Sequence, residues 1–257
     1  LGYRIYPDTG GQIQDFLQDK CGLCQSDLAF SFQGEWFLNP YAYVVSRELW
    51  PSGHEVKLVK GNSHGDLHGH NILVKIEGPY SYAYYLIDLA LYEENSYLFY
   101  DHAYLELSHL LHYRGNVQFS RWLQILQALT GIQSVDIALT KVEPDDSGLL
   151  HIIDVARQEI LNWVQNHEPA RQDHLKGQTI LARVAIGLNF VNKEIDDNRR
   201  KLAFLYAAAN LKLYFTLFRL QWEQKGPVLN LREPIEIPET DNWREVWNAS
   251  DHFDHYK

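Results

Sequence analysis

An aspartate, an asparagine and three histidines share the polar stretch His64-Gly65-Asp66-Leu67-His68-Gly69-His70-Asn71, which runs straight into the apolar alternation Ile72, Val74, Ile76. A carboxylate held in a loop suits general-base work on a hydroxyl. An amide five residues later, at the start of a strand, suits a different task, offering its oxygen to a hard cation. Asp88 ends a second apolar run, Tyr84-Tyr85-Leu86-Ile87, and the turn Gly78-Pro79 joins the two. The pattern predicts a hairpin, half-buried by its alternation, that brings Asn71 and Asp88 within reach of one ion. Phosphoryl transfer from a nucleotide needs just these parts: metal ions to spread charge, and a carboxylate to orient the attacking hydroxyl and accept its proton.

His64–Val74 resembles the H-G-D-x-H-x-x-N-[IL]-[LV] catalytic loop of aminoglycoside and choline kinase-type phosphotransferases, itself similar to the H-R-D-x-x-x-x-N loop of protein kinases. Ile87-Asp88-Leu89-Ala90 resembles the metal-binding segment that stands in place of the protein-kinase D-F-G. Tyr100-Asp101-His102-Ala103 resembles the D-x-A helix start that follows. The resemblance spans about Val56–Leu111. It implies Asp66 as catalytic base, Asn71 and Asp88 as magnesium ligands, and His64 and Asp101 as supports of the loop, with Asp101 also expected to cap its own helix. His68 is a candidate contact to phosphate or substrate, although a packing role in the loop fits it better. The implied cofactors are Mg2+ and ATP (or GTP), and the implied partners a nucleotide and a small-molecule acceptor.

These residues need elements to position them. Gln12–Lys20 carries Ile13, Phe16 and Leu17 on one helical side, and Pro51-Ser52-Gly53 is a break. Beyond Asp101 the periodicity is helical: Tyr104, Leu107 and Leu111; Leu123, Ile125, Leu126 and Leu129; then 149–165 and 180–191. The clearest helix is predicted from about Asn198 to Gln224, with a stripe of Leu202, Leu205, Ala209, Leu213, Leu217 and Leu220, ended by Gly226-Pro227. Trp243 and Trp247 are expected to pack back on the body. A short strand pair before a helical mass predicts an α+β, mostly helical fold. By the resemblance this would be a protein kinase-like C-terminal lobe over residues 57–257 with a helical C-terminal extension, and residues 1–56 would be a reduced or partial N-terminal region. The glycine loop and strand lysine of a full nucleotide-binding lobe have no good counterpart: Thr9-Gly10-Gly11-Gln12 is a poor substitute, and Lys57 and Lys60 lie too near the catalytic loop.

Composition narrows the classes. A formal charge of −10 argues against general affinity for nucleic acid. No apolar run of about 18 residues suggests a membrane span, and no charged-then-apolar leader is seen, so a cytoplasmic location is expected. Cys21 and Cys24 lack two further zinc ligands and read as buried or incidental thiols. Asp145, Asp146, Asp154 and Glu159 would attract a cationic acceptor, but read more simply as a solvated face. Two other classes compete with the enzyme. One is a metallohydrolase using His64, Asp66, His68 and His70. The other, and the stronger, is a kinase-like binding or scaffold module without turnover, joined to other domains of a longer bacterial signalling or defence protein.

Overall fold

Every residue from Leu202 to Leu211 is buried, so the helix they form has no solvent face over its middle. The computed structural model describes residues 11–52, 54–56, 58–77, 80–131 and 144–232, and the chain is mostly helical with small antiparallel sheets. In chain order the main elements are α1 (Gln12–Phe16, continued by a π turn to Cys21), β1 (Ala29–Phe32), β2 (Glu35–Leu38), α2 (Pro40–Val45), β3 (Lys60–Ser63), β4 (Ile72–Glu77) and β5 (Tyr80–Leu86). There follow β6 (Glu93–Tyr97), α3 (Tyr100–Arg114), α4 (Phe119–Thr130), α5 (Pro144–His167), α6 (Gln172–Val191) and α7 (Asp197–Leu217). The α+β reading, helix-dominated, holds. None of the described helices is long and apolar enough to cross a membrane.

The buried helix is α7, and other elements are laid around it. Asp196 caps its start by accepting the Arg199 N–H at 2.9 Å. Its end differs from the sequence expectation. The helix stops at Leu217, because Arg219 takes a left-handed conformation (φ 53°). Leu220 N–H then bonds the Phe215 carbonyl at 2.8 Å and Arg219 N–H bonds that of Thr216 at 3.2 Å, the paired closure of a Schellman motif. Of the expected stripe, Leu217 is the last helical residue and is exposed, while Leu220 lies beyond the helix end and packs against a second apolar cluster. Gly226-Pro227 serves another purpose: the chain there runs beside β1, where Ser31 N–H bonds the Pro227 carbonyl and Leu229 N–H bonds that of Ser31. A Cβ on Gly226 would sit 1.8 Å from the Ala29 carbonyl oxygen, so only glycine fits. The expected packing of Trp243 and Trp247 lies outside the described residues.

The β1–β2 hairpin closes through Gln33-Gly34, both at positive φ as a type I′ turn requires. Its Phe30 stacks on Phe37 and on Phe204 of α7, at 5.7 and 5.4 Å between centroids. Ile13, Phe16, Leu17 and Tyr41 join the same core. Residues 12–41 are thus built into one hydrophobic cluster with the helices. Cys21 lies in it, and burial pushes its thiol up to about 12, while Cys24 is exposed. The acidic residues near the start of α5 correct the solvated-face reading in one place: Asp146 is buried, bonded to Arg114 of α3 and to Arg121 of α4, the latter at 2.7 Å.

The loop of residues 64–71 is held between two small sheets. β3 pairs with β6 (Lys60↔Tyr97, Ser63↔Glu93) and delivers the chain into the loop; β4 pairs with β5 (Ile72↔Leu86, Val74↔Tyr84) and takes it away. The expected hairpin forms, but it is not half-buried where its side chains are described. Leu73 is 52% exposed, Val74 50%, Tyr84 71% and Tyr85 57%. Because Leu73 and Val74 point to opposite faces, both faces meet solvent.

A buried ionic cluster fixes the helices behind this region. Glu106 of α3 accepts from Arg157 of α5 at 2.5 and 2.8 Å and from the Tyr206 hydroxyl of α7 at 2.6 Å, and Arg183 of α6 lies 3.4 Å away. Burial alone would raise the Glu106 carboxyl, but Arg157 and Arg183 outweigh it and hold it at about 2, below its ordinary 4.5. A depressed folded-state value means that Glu106 contributes its stability in full above pH 4.5 and loses it as pH falls toward 2. Glu106→Gln leaves two buried guanidinium groups uncompensated and should cost about 3–5 kcal/mol at neutral pH. Urea unfolding followed from pH 7 to pH 3 should show that gap narrowing with acid; a constant gap would assign the cost to packing instead.

Candidate active site

Asp101 organises the loop. It is the second residue of α3, whose N-cap is Phe99 with no side-chain cap bond, so the expectation that Asp101 caps its own helix is corrected. Its carboxylate turns to the loop instead. Oδ2 accepts the His64 N–H at 2.5 Å, and Oδ1 accepts the Gly65 N–H at 2.9 Å and the Ser63 hydroxyl at 3.1 Å. Gly65, at φ +84°, is pressed on its other side against Leu91: an added Cβ would meet the Leu91 carbonyl oxygen at 2.4 Å. Loop backbone is therefore clamped between a carboxylate and a carbonyl, and Gly65 supplies both the conformation and the space.

His64 is buried, and its ring is turned to Ile87. Its Nε2 donates to the Ile87 carbonyl at 2.8 Å, since a carbonyl only accepts, and this ties the loop to the segment that carries Asp88. Its Nδ1 is buried without a partner. Asn71, also buried, closes the loop on itself: its Nδ2 donates to the Asp66 carbonyl at 2.9 Å and its N–H to the His68 carbonyl at 2.9 Å. Ile87 N–H returns to the Asn71 carbonyl at 3.0 Å, so Asn71 and Ile87 lie side by side and Asp88 is the next residue. Asp88 is exposed and left-handed (φ 57°, ψ 63°), a conformation an aspartate tolerates better than most residues.

The donor set suits a small hard cation. With Nδ2 committed to the Asp66 carbonyl, Asn71 has Oδ1 left to offer a cation, and Asp88 would add a carboxylate two residues beyond the neighbouring strand end. Two such oxygens hold magnesium only together with waters and phosphates. The all-histidine arrangement fares differently. With His64 turned inward, His64, Asp66, His68 and His70 do not converge, and among the described residues no group of three or more His, Cys, Asp or Glu is placed to hold a metal ion.

Asp66 is one-third exposed, between two donors. Lys193 Nζ is 3.5 Å from Oδ1 and His68 Nε2 is 3.7 Å from Oδ2. Partial burial holds the His68 imidazole below its usual value, with His70 and Lys193 pushing the same way against the pull of Asp66. Lys193 was not foreseen from the sequence. It follows the end of α6, far downstream, and no local pattern marks it. Tyr104 of α3 and Phe190 of α6 give it a seat, with Nζ 4.6 and 5.0 Å from their ring centroids and bonded to the Tyr104 hydroxyl.

The difference between Asp101 and Asp66 is measurable. Asp101→Ala removes a charged acceptor from three donors in a tight loop and should cost about 2–4 kcal/mol. Asp66→Ala loses only two long, partly solvated contacts and should stay within about 1 kcal/mol of the parent. Denaturant melts of the two variants check the order, and an Asp66 variant that melts earlier than the Asp101 variant would reverse the roles.

Compared with known proteins, the chain matches no family model, no curated protein and no solved structure.

Proposed function

We propose that this site transfers the γ-phosphoryl group of a nucleoside triphosphate, ATP or GTP, to a hydroxyl of a small molecule. One observation carries the reading. Asp66 and Asn71 are locked in a single loop by the Asn71 Nδ2 bond to the Asp66 carbonyl, and the segment bearing Asp88 is bonded to that loop twice, through His64 and through Asn71. The main chain at Asp66, Asn71 and Ile87, the residue before Asp88, is thereby tied together by bonds that all end on main-chain carbonyls.

Asp66 accepts the proton of the acceptor hydroxyl. The acceptor oxygen forms the new bond to the γ-phosphorus as the bond to the β–γ bridging oxygen breaks, its electron pair leaving with the nucleoside diphosphate. Asn71 Oδ1 and the Asp88 carboxylate are the ligands for magnesium, which when bound neutralises phosphate charge. His64 and Asp101 shape the loop and touch no reactant. The architecture that accompanies this reading is a protein kinase-like C-terminal lobe over residues 57–257, with residues 1–56 as a reduced N-terminal region.

The exposed hairpin bears on nucleotide binding. Leu73, Val74, Tyr84, Tyr85, Leu86 and Ile87 present apolar surface next to the Asn71–Asp88 edge, the setting an adenine or guanine ring and a covering polypeptide would share. A glycine loop and strand lysine for the phosphates are not evident in this sequence. The 257-residue chain should therefore bind magnesium–ATP weakly, with Kd of about a millimolar. The full gene product should bind it more tightly if a further region supplies those groups, and Asp88→Asn should remove the magnesium dependence in either. Titration calorimetry on both forms reads this directly. Tight binding by the 257-residue chain would mean that its own residues before His64 supply the phosphate contacts. Absence of nucleotide binding in both would overturn the transferase and favour the kinase-like binding or scaffold module.

A further inference from the structure

Three side chains from two distant parts of the sequence meet at Asp66. Oδ1 faces Lys193 Nζ at 3.5 Å and Oδ2 faces His68 Nε2 at 3.7 Å. Charge-assisted N–H···O bonds close to about 2.7–2.9 Å, so neither donor is shut onto the carboxylate. The His68 ring has its orientation set from behind: its Nδ1 accepts the His70 N–H at 3.3 Å, which leaves the ring hydrogen on Nε2, the nitrogen nearest Asp66. The lysine is seated as firmly. Its ammonium lies over the Tyr104 and Phe190 rings and bonds the Tyr104 hydroxyl, and Tyr104 itself is buried. Side-chain exposures of 25% for Lys193, 29% for His68 and 32% for Asp66 leave all three within reach of a ligand.

We infer that Lys193 and His68 form an anion subsite on either side of Asp66, and that its ligand is a phosphoryl dianion. The identity of that ligand rests on the phosphotransferase reading; the subsite itself rests on the donors. Lys193 brings a full positive charge on an aromatic seat that limits its rotamers, and His68 brings a directed N–H. A tetrahedral phosphoryl group has oxygens enough to reach both while the acceptor hydroxyl addresses Asp66. A planar carboxylate has only two and must contend with Asp66 for the same donors. Once Asp66 has taken the acceptor's proton its charge is gone, and the repulsion between it and the phosphoryl oxygens goes with it.

Inorganic phosphate is the probe, titrated at constant pH and ionic strength and followed by the His68 ring Cε1–H signal in NMR. Phosphate should move that signal saturably. Lys193→Gln should weaken the affinity about tenfold, the loss of one charge-assisted bond. Lys193→Arg should retain most of it, and Asp66→Asn, which removes the competing carboxylate, should tighten it. Acetate at the same ionic strength should do little. A thermal melt of each variant separates loss of the subsite from loss of the fold. An unmoved His68 signal, equal affinity in folded Lys193→Gln, or acetate matching phosphate would each overturn the subsite. No step of this test requires turnover. Phosphate binding at Lys193 without nucleotide binding would retain the subsite and discard the transferase, whereas turnover of ATP with phosphate indifferent to Lys193 would do the reverse.

Discussion

A carboxylate that accepts two backbone N–H groups and a hydroxyl from three consecutive residues dictates their conformation, and the candidate site depends on Asp101 doing this to Ser63, His64 and Gly65. The geometry forces the next residue, Asp66, out of the cluster and toward solvent. It also requires a residue at position 65 that tolerates positive φ with no room for a side chain. His64, fixed at its own N–H, holds the Ile87 carbonyl with its ring. Position thus passes from helix to loop to hairpin through bonds whose acceptors are mostly backbone or carboxylate oxygens.

Asp101 can act as an anchor only if α3 is itself immobile. Five residues away, Glu106 ties α3 to α5, α6 and α7 by charged contacts, while Tyr104, Leu107 and Leu111 bury the same helix in the main core. A buried acid with two guanidinium partners is a poor source of net stability compared with packed hydrocarbon. Its gain is geometric: the carboxylate fork accepts Arg157 through two parallel bonds, and that fixes the rotation of α3 about its axis. The same rotation aims Asp101 at the loop and gives Lys193 its Tyr104 ring.

What the sequence made legible was local. The loop, its hairpin, the pairing of Asn71 with the segment before Asp88, and the order of the helices follow from spacing and periodicity within windows of about 11–18 residues. Four features were not legible, for distinct physical reasons. The end of α7 is set by Arg219 in a left-handed conformation, where a glycine would have announced it, and a true Gly-Pro pair seven residues on marked a strand-like contact instead. The exposure of Val74 and Tyr84 cannot be read from alternation, because alternation says that two faces differ and not that either is covered. Lys193 reaches Asp66 only because α6 and α3 lie side by side, a tertiary fact with no trace in its neighbours along the chain. Asp146 belongs with these: acidic neighbours near a helix start look solvated until Arg114 and Arg121 arrive from two other helices.

The site that results is unevenly supported. The Asp66 side stands on a clamped loop, a buried helix and a seated lysine. The Asn71–Asp88 side stands on a two-stranded hairpin exposed on both described faces, and such pairs are marginal without a covering element. Asp88 is tied to the rest by two bonds at Ile87, whose N–H donates to the Asn71 carbonyl and whose carbonyl accepts from the His64 ring, and its own side chain is exposed. Under the proposed function, Asp66 would thus be set before any ligand arrives. Asn71 and Asp88 would gain their final order with an element that covers the hairpin. Ordering of this sort lowers apparent affinity by the fraction of time the competent arrangement is populated. A covering partner or a nucleotide would each raise that fraction, and each would therefore strengthen the binding of the other.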